Sequence, residues 1–367
     1  MEKFKISVIQ LFSMMFIFDM GTALVVSYGI SARKDAWIAI LLSMGGGGIL
    51  FIVYYLLYRQ YPTLPLTGYA RKILGKYAGS FIGFLYIIYF LHIASRNIRE
   101  FGDLLVSSTL RETPLIAIII PLVLVICYVI YLGIEVLSRT SEIFIVILCF
   151  FGLAGNFLVL ISGNVEVHNL LPLLENGWKP ILKTFFPYTI VFPFGEMIVF
   201  TMILPYLNQA KYVKKVWLSA IVASGVILSW TVSLNIAVLG VNATERASFP
   251  TLTTVGTINL LDFVQRLDTI IVFTLLITVF FKASIYIYVS LLGIVDLFKL
   301  KNHYRITFPI GMIVIYLSMV ISANFQEHFK EREIISPYFH VTMIMIVPLV
   351  MLLVSFIRKT FKKKFIS

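Results

Sequence analysis

Three ionisable side chains, Asp19, Glu196 and Lys282, lie inside long apolar runs of this sequence. A charge at the centre of a membrane span costs on the order of 3 kcal/mol, so such residues pair, face water or meet a ligand. Two of them sit in short interruptions, Phe18-Asp19-Met20-Gly21-Thr22 and Phe192-Pro193-Phe194-Gly195-Glu196, which lie 174 residues apart. A carboxylate beside a glycine midway along an apolar run exposes backbone groups that lipid cannot satisfy. Paired interruptions at matching places in two halves of a chain point to a substrate site between repeats.

The chemistry these interruptions allow is recognition of a small zwitterion. A half-helix starting near Gly21 or Thr22 presents free amides and the positive end of its dipole, which suits a carboxylate. The half-helix ending near Phe16 to Phe18 presents free carbonyls, which suit an ammonium, and Asp19 adds a full negative charge beside them. Asp19 either contacts the ligand or caps the second half-helix; the two roles are compatible. At the second interruption Pro193 removes a backbone donor and disfavours helix at Phe192, so a true discontinuity is expected. Glu196 then starts a half-helix, either as a functional carboxylate or as a cap and partner for Lys282.

Lys282 lies near the middle of its apolar run, within Phe280-Phe281-Lys282-Ala283-Ser284. If its helix packs against the first interruption, the amine stands where a sodium ion would bind in an ion-coupled relative, leaving proton coupling or none. A polar stripe of His92, Arg96, Asn97, Arg99, Glu100 and Asp103 follows near-helical spacing. Arg96 with Glu100 and Arg99 with Asp103 form i, i+4 pairs, expected as an outer-mouth network. Tyr86 and Tyr89, deeper in the same run, either close over a ligand or pack the core; His92 is read as a core histidine.

Composition fixes what must position these groups. The chain is 59% hydrophobic and 13% charged, so the bilayer is its solvent. Ten apolar stretches stand at about 7–30, 36–58, 80–104, 114–132, 141–162, 185–206, 214–239, 268–292, 306–323 and 338–357. With the N-terminus inside, 18 of the 30 Lys and Arg residues fall on inner segments, so both termini are expected in the cytoplasm. The expectation is an all-α membrane protein of ten transmembrane helices. It forms a single domain, a 5+5 inverted repeat with helices 1 and 6 broken mid-span. The first repeat runs over about 6–162, the second over about 185–357, and a basic tail over 358–367.

Outside the spans, Val165–Lys183 and Asn242–Arg266 read either as half-helices gating the outer mouth or as connecting loops. Tyr61–Lys76 reads as a short basic helix anchored on lipid, and Gly45 to Gly48 as a helix-packing surface. The net charge of +12 lies largely on inner loops and the tail, which fits lipid headgroups rather than nucleic acid. Cys127 and Cys149 both fall within apolar runs, against a disulfide. No cleavable signal is expected, because the first apolar run is long and lacks a small-residue cleavage site. An enzyme is not indicated: no nucleophile–base pair, metal-ligand spacing or phosphate loop stands out.

Several motifs in a fixed order give the chain a resemblance. They are Phe192-Pro193-Phe194-Gly195-Glu196, Arg99-Glu100-Phe101-Gly102-Asp103 followed by Glu112-Thr113-Pro114, and Leu170-Leu171-Pro172 with Asn176-Gly177. To these are added Pro250-Thr251-Leu252 with Asp262-Phe263 and Arg266-Leu267-Asp268. Over its full length the chain resembles the B subunits of the spore germinant receptors, a branch of the amino acid/polyamine/organocation transporter superfamily with the LeuT-like fold. The resemblance implies a nutrient-sensing subunit in the spore inner membrane, working with an A subunit and a lipoprotein C subunit. It implies small nutrients such as amino acids as ligands, held near Asp19, Gly21, Thr22, Tyr86, Phe192, Phe194, Gly195 and Glu196, with no cofactor and no metal. Asp19 looks like the aspartate by which related transporters bind a ligand amine. Arg96 and Arg99 depart from the familiar transporters by adding positive charge at the outer mouth. An amino-acid transporter, proton-coupled or uncoupled, is the competing expectation, and an ion- or water-conducting channel subunit a third.

Overall fold

A computed structural model of the chain describes residues 5–26, 28–258, 268–301, 304–321 and 336–364. Its first helix, α1 (Val8–Met20), begins at Ser7, whose hydroxyl accepts from the Gln10 amide at 3.1 Å while Gln10 Oε1 accepts from the Ser7 amide at 2.9 Å. This reciprocal cap satisfies two of the donors a helix start leaves open. α1 stops at Gly21, whose φ of 32° and ψ of −137° lie where a side chain would be strained. A short 3-10 turn, Thr22–Leu24, follows.

The chain then enters α2 (Ala36–Gln60), the short α3 (Leu66–Leu74), α4 (Lys76–Ser108), α5 (Leu115–Leu132) and α6 (Ile134–Ile161). Next come α7 (Trp178–Lys183), a wide π turn over Thr184–Thr189, and, past Phe192 and Pro193, a 3-10 helix over Phe194–Met202. Nine residues of 3-10 helix is long for that geometry, which places few good hydrogen bonds per turn. The remaining helices are α8 (Val213–Leu239), α9 (Val241–Arg246), α10 (Pro250–Gly256), α11 (Asp268–Phe298), α12 (Tyr304–Val320), α13 (Ser336–Val341) and α14 (Val347–Lys364).

Eight helices among the described residues are long and apolar enough to cross a membrane. The first and ninth expected spans instead form shorter apolar helices, α1 with 13 residues and α12 with 17. Gly21 accounts for the first, because it cuts the apolar run of 7–30 in two. The core forms where α11 packs on α4, α1 on α8, α6 and α11, and α2 on α8. α6 lies at the other extreme: only 11% of its most apolar stretch is buried, against 72% for α11.

Two local expectations change. α3 does not lie loosely on a surface: Leu66, Tyr69, Ala70 and Ile73 are buried against its neighbours. Among the four glycines of α2, Gly46 abuts Ile190 and Phe185 and Gly47 abuts Phe194, whereas Gly45 meets nothing within 4 Å. Packing is therefore the use of two of the four. The segment expected between Asn242 and Arg266 contains α9 and α10; Asp262, Phe263, Arg266 and Leu267 lie outside the described residues.

Glycine at the α3–α4 contact is sterically required, because a Cβ at Gly79 would overlap the Arg71 backbone, while Gly152 on α6 has open space around it. Gly79→Ala is expected to destabilise the protein by about 1–3 kcal/mol through overpacking, and Gly152→Ala to leave it unchanged or gain up to about 1 kcal/mol of helix propensity. Thermal unfolding of the two variants in detergent checks the contrast; equal shifts would contradict the packing described.

Candidate functional site

The end of α1 and the turn at Phe192 come together around one side chain from α11. Lys282 is fully buried, and its Nζ stands 2.7 Å from Glu196 Oε2. The same ammonium lies 4.9 Å from the Phe18 ring centroid and 4.6 Å from that of Phe192. A desolvated ammonium between two ring faces gains about 2 kcal/mol or more from each favourable contact. A Cβ built on Gly21 would fall 2.6 Å from Lys282 Cδ and 3.2 Å from its Nζ, so only glycine admits the lysine stem here. Thr278, one turn earlier on α11, donates its hydroxyl to the Gly21 carbonyl at 3.0 Å. The two interruptions are thus joined through α11.

Glu196 has a second neighbour. His340 Nδ1 stands 3.9 Å from Glu196 Oε1 and 2.7 Å from the Tyr89 hydroxyl. Glu196, Phe192, Thr22 and His340 form the deep end of a cavity of about 800 Å³. Arg96, Asn97 and Glu100 of α4 line its wall, and Lys179, Lys183 and Arg246 stand nearer its mouth. Arg96 Nη2 lies 4.0 Å from Glu100 Oε1 within the wall. Beneath the cavity the core is closed by rings, with Phe18 packed on Phe200 at 5.3 Å and on Tyr286 at 5.1 Å.

Of the residues expected to bind ligand, Thr22, Phe192 and Glu196 line this cavity, as do Arg96 and Glu100 of the expected network. Asp19, Gly21, Tyr86, Phe194, Gly195 and Lys282 do not. Asp19 is turned into the core toward α8, where Ser224 donates to its Oδ2 at 2.8 Å and its Oδ1 meets no donor among the described residues. Tyr86 donates to the Met343 carbonyl at 2.7 Å, satisfying the π turn Thr342–Ile346. Gly195 is held under Ile344 and Leu50, with its carbonyl accepting from Tyr54 at 3.2 Å. Arg99 pairs with Asp103 at 2.9 Å and also reaches the Ser318 carbonyl at 3.3 Å, tying α4 to the end of α12. His340 was not anticipated, because it stands alone in an apolar run with no polar periodicity; Asn97 was visible only as part of the stripe.

At the other end of α4 and α11, polar contacts tie neighbouring elements together. Arg71 of α3 bonds Asp296 at the end of α11 at 2.5 Å and reaches its carbonyl at 3.0 Å, and Thr67 donates to the same carboxylate. Ile6, just before α1, exchanges backbone bonds with Tyr206 at 2.9 Å and Asn208 at 3.0 Å. Among the described residues no group of three or more His, Cys, Asp or Glu could hold a metal ion.

Residues 5–326 match the family model for spore germination protein (Spore_permease). The chain belongs to the spore germination protein family. Among relatives in Bacillus subtilis (strain 168), it is 39% identical to spore germination protein KB over 365 residues, which cover 99% of this chain and 98% of that one. It is 24% identical to spore germination protein YndE, covering 90% and 89% of the two chains. Among solved structures it superposes on Mhp1, a nucleobase-cation-symport-1 family transporter with bromovinylhydantoin bound, with a TM-score of 0.73. That match has 13% identity and covers 95% of this chain and 78% of that one. It also superposes on MhsT in complex with L-phenylalanine, with a TM-score of 0.65, 12% identity, and coverage of 95% and 98%. This member of the spore germination family therefore has the all-helical transporter fold, and is an integral membrane protein.

Removing one partner of a buried ion pair leaves the other charge uncompensated, at a cost of about 3–5 kcal/mol, whereas removing both costs far less. Lys282→Met alone and Glu196→Gln alone are each expected to lower the unfolding temperature strongly, and the double variant to recover most of the loss. A double-mutant cycle read by thermal unfolding checks this; additive losses would show that the pair does not act as a unit.

Proposed function

We propose that this protein is the nutrient-sensing membrane subunit of a spore germinant receptor, binding a small amino acid in the cavity above Glu196. The observation that carries the reading is the junction of the two interrupted segments beneath a polar cavity, in a chain of the spore germination family. Bound L-phenylalanine in one structural neighbour accords with an amino-acid ligand. In this reading α1 and α12 complete a set of ten spans, arranged as a 5+5 inverted repeat with the first and sixth broken mid-span. Both termini lie in the cytoplasm, the cavity mouth faces outward, and the protein resides in the spore inner membrane. An A subunit and a lipoprotein C subunit complete the receptor.

Sensing requires that the ligand bind one conformation better than another, by an amount that sets the shift in populations. The arrangement supports this: a ligand entering from the mouth meets Thr22 on one interrupted segment and Phe192 and Glu196 on the other. It thereby biases how the two sit against Lys282.

Transport of an amino acid by alternating access is the second reading, favoured by the fold and by the polar contacts at the other end of α4 and α11. The pairing of Lys282 with Glu196 supports proton coupling or none. Conduction of ions or water after triggering is the third, and a conductance that appears only with an A subunit would favour it.

Purified protein in nanodiscs is expected to bind a labelled amino acid saturably, and Gly21→Leu combined with Glu196→Ala to abolish it. Unchanged binding in that variant would overturn the proposal. In proteoliposomes, binding without net uptake marks a sensor, whereas accumulation driven by a pH gradient marks a transporter. The Arg71–Asp296 end has its own test. Cys149 is exposed and Cys127 buried, so in a Cys149→Ser background a cysteine placed by Leu207→Cys, at a buried position, reports opening. Arg71→Met is expected to raise its labelling by a maleimide several-fold; no change would show that the Arg71–Asp296 contact does not hold this end closed.

A further inference from the structure

The cavity is electrically graded along its depth. Its floor carries the carboxylate of Glu196, its wall the guanidinium of Arg96, and its mouth the cations Lys179, Lys183 and Arg246. Glu100 and Glu245 also line it, Glu100 at 4.0 Å from Arg96. The vertical separation follows from α4. Tyr89 and Arg96 are seven residues apart on one face of that helix, about 10 Å along its axis. Tyr89 touches His340 at the floor, so Arg96 stands about that far above it.

An α-amino acid with both charges hydrogen-bonded spans roughly 9 Å from acceptor to donor, counting about 2.8 Å for each charge-assisted bond. The backbone rise from Tyr89 to Arg96 along α4 is of the same order as that length. The site also has a direction, because the buried carboxylate of Glu196 lies inside the cavity while Lys179, Lys183 and Arg246, which also line it, are exposed. The Lys282 ammonium is spent on Glu196 Oε2. The other oxygen, Oε1, stands 3.9 Å from His340 Nδ1, and both residues line the cavity. A carboxylate carries about four lone-pair sites, so Oε1 accepts from a ligand while Oε2 keeps Lys282.

We propose that the ligand is a dipolar small molecule held with its cationic end inward on Glu196 Oε1 beside His340 and its anionic end outward on Arg96. This orientation rests on the amino-acid-binding reading above and specifies which groups select the two ends. Arg96 reads the carboxylate with a planar fork of donors, which a lysine ammonium does not reproduce. Lys179, Lys183 and Arg246 draw anionic groups toward the mouth and set no specificity of their own.

The test uses the full chain in nanodiscs and calorimetry with competition. Each standard L-amino acid is titrated, and the tightest binder is paired with its decarboxylated amine and its deaminated acid; for L-leucine these are 3-methylbutylamine and 4-methylpentanoate. Arg96→Gln is expected to weaken the amino acid and the deaminated acid about tenfold or more and to leave the amine unchanged. Glu196→Gln, made together with Lys282→Met so that no buried charge is stranded, is expected to weaken the amino acid and the amine and to spare the deaminated acid. Arg96→Lys is expected to fold as wild type and recover only part of the affinity. Equal losses for all three probes, or the opposite selectivity, would overturn the orientation while leaving the binding site standing. Absence of saturable binding by any amino acid to the wild-type chain would overturn the functional reading, and this inference with it.

Discussion

An ammonium enclosed by hydrocarbon on every side persists only where charge and geometry have been arranged for it in advance. In this protein Lys282 meets the Glu196 carboxylate at 2.7 Å, two phenylalanine rings and the bare backbone of Gly21. Three of those four partners come from backbone that is not regular α-helix, and the fourth, Phe18, lies in the last turn of α1. Gly21 has no side chain to block the lysine stem, Phe18 closes α1, and Phe192 and Glu196 straddle a turn. The interruptions and the buried cation are therefore mutually dependent. Regular helix at either place would carry the aromatic face or the carboxylate away and strand the charge.

Around that centre the bundle divides its labour. α11 is among the most enclosed of the long apolar spans and carries the cation, the Thr278 bond to Gly21 and, at its far end, the Asp296 carboxylate held by Arg71. α4 supplies the cavity wall through Arg96, Asn97 and Glu100, and its Tyr89 holds His340. Both helices pack against each other along much of their length. A change at the cavity floor thus acts on the two elements that also carry its wall and the Asp296 contact with Arg71.

Much of this was legible in the sequence because the bilayer is an unforgiving solvent. Asp19, Glu196 and Lys282 stood out as charges in apolar runs, and Pro193 and Gly195 as residues that stop a helix, without reference to any partner. The interruptions follow from that reading, but it leaves open whether Lys282 pairs with Asp19 or with Glu196. Direction does not follow, since periodicity in a run that is apolar all round says little about which neighbour a side chain faces. Asp19 accordingly turned toward Ser224 rather than the cavity, and Tyr86 and Gly195 toward the π turn and the helix after His340. His340 escaped notice because its role depends on Tyr89 and Glu196, which approach it only in three dimensions. The basic segment around Arg71 read as a lipid anchor because its acidic counterpart, Asp296, lies far along the chain.

The two backbone bonds that join Ile6 to Tyr206 and Asn208 carry a mechanical consequence. They fasten the beginning of α1 to the end of the segment containing Glu196, so the arms leading away from the two interruptions share a common foot. Neither arm can move away from the other at this end without breaking both bonds. The foot therefore couples the two arms, so that a displacement of one carries the other with it.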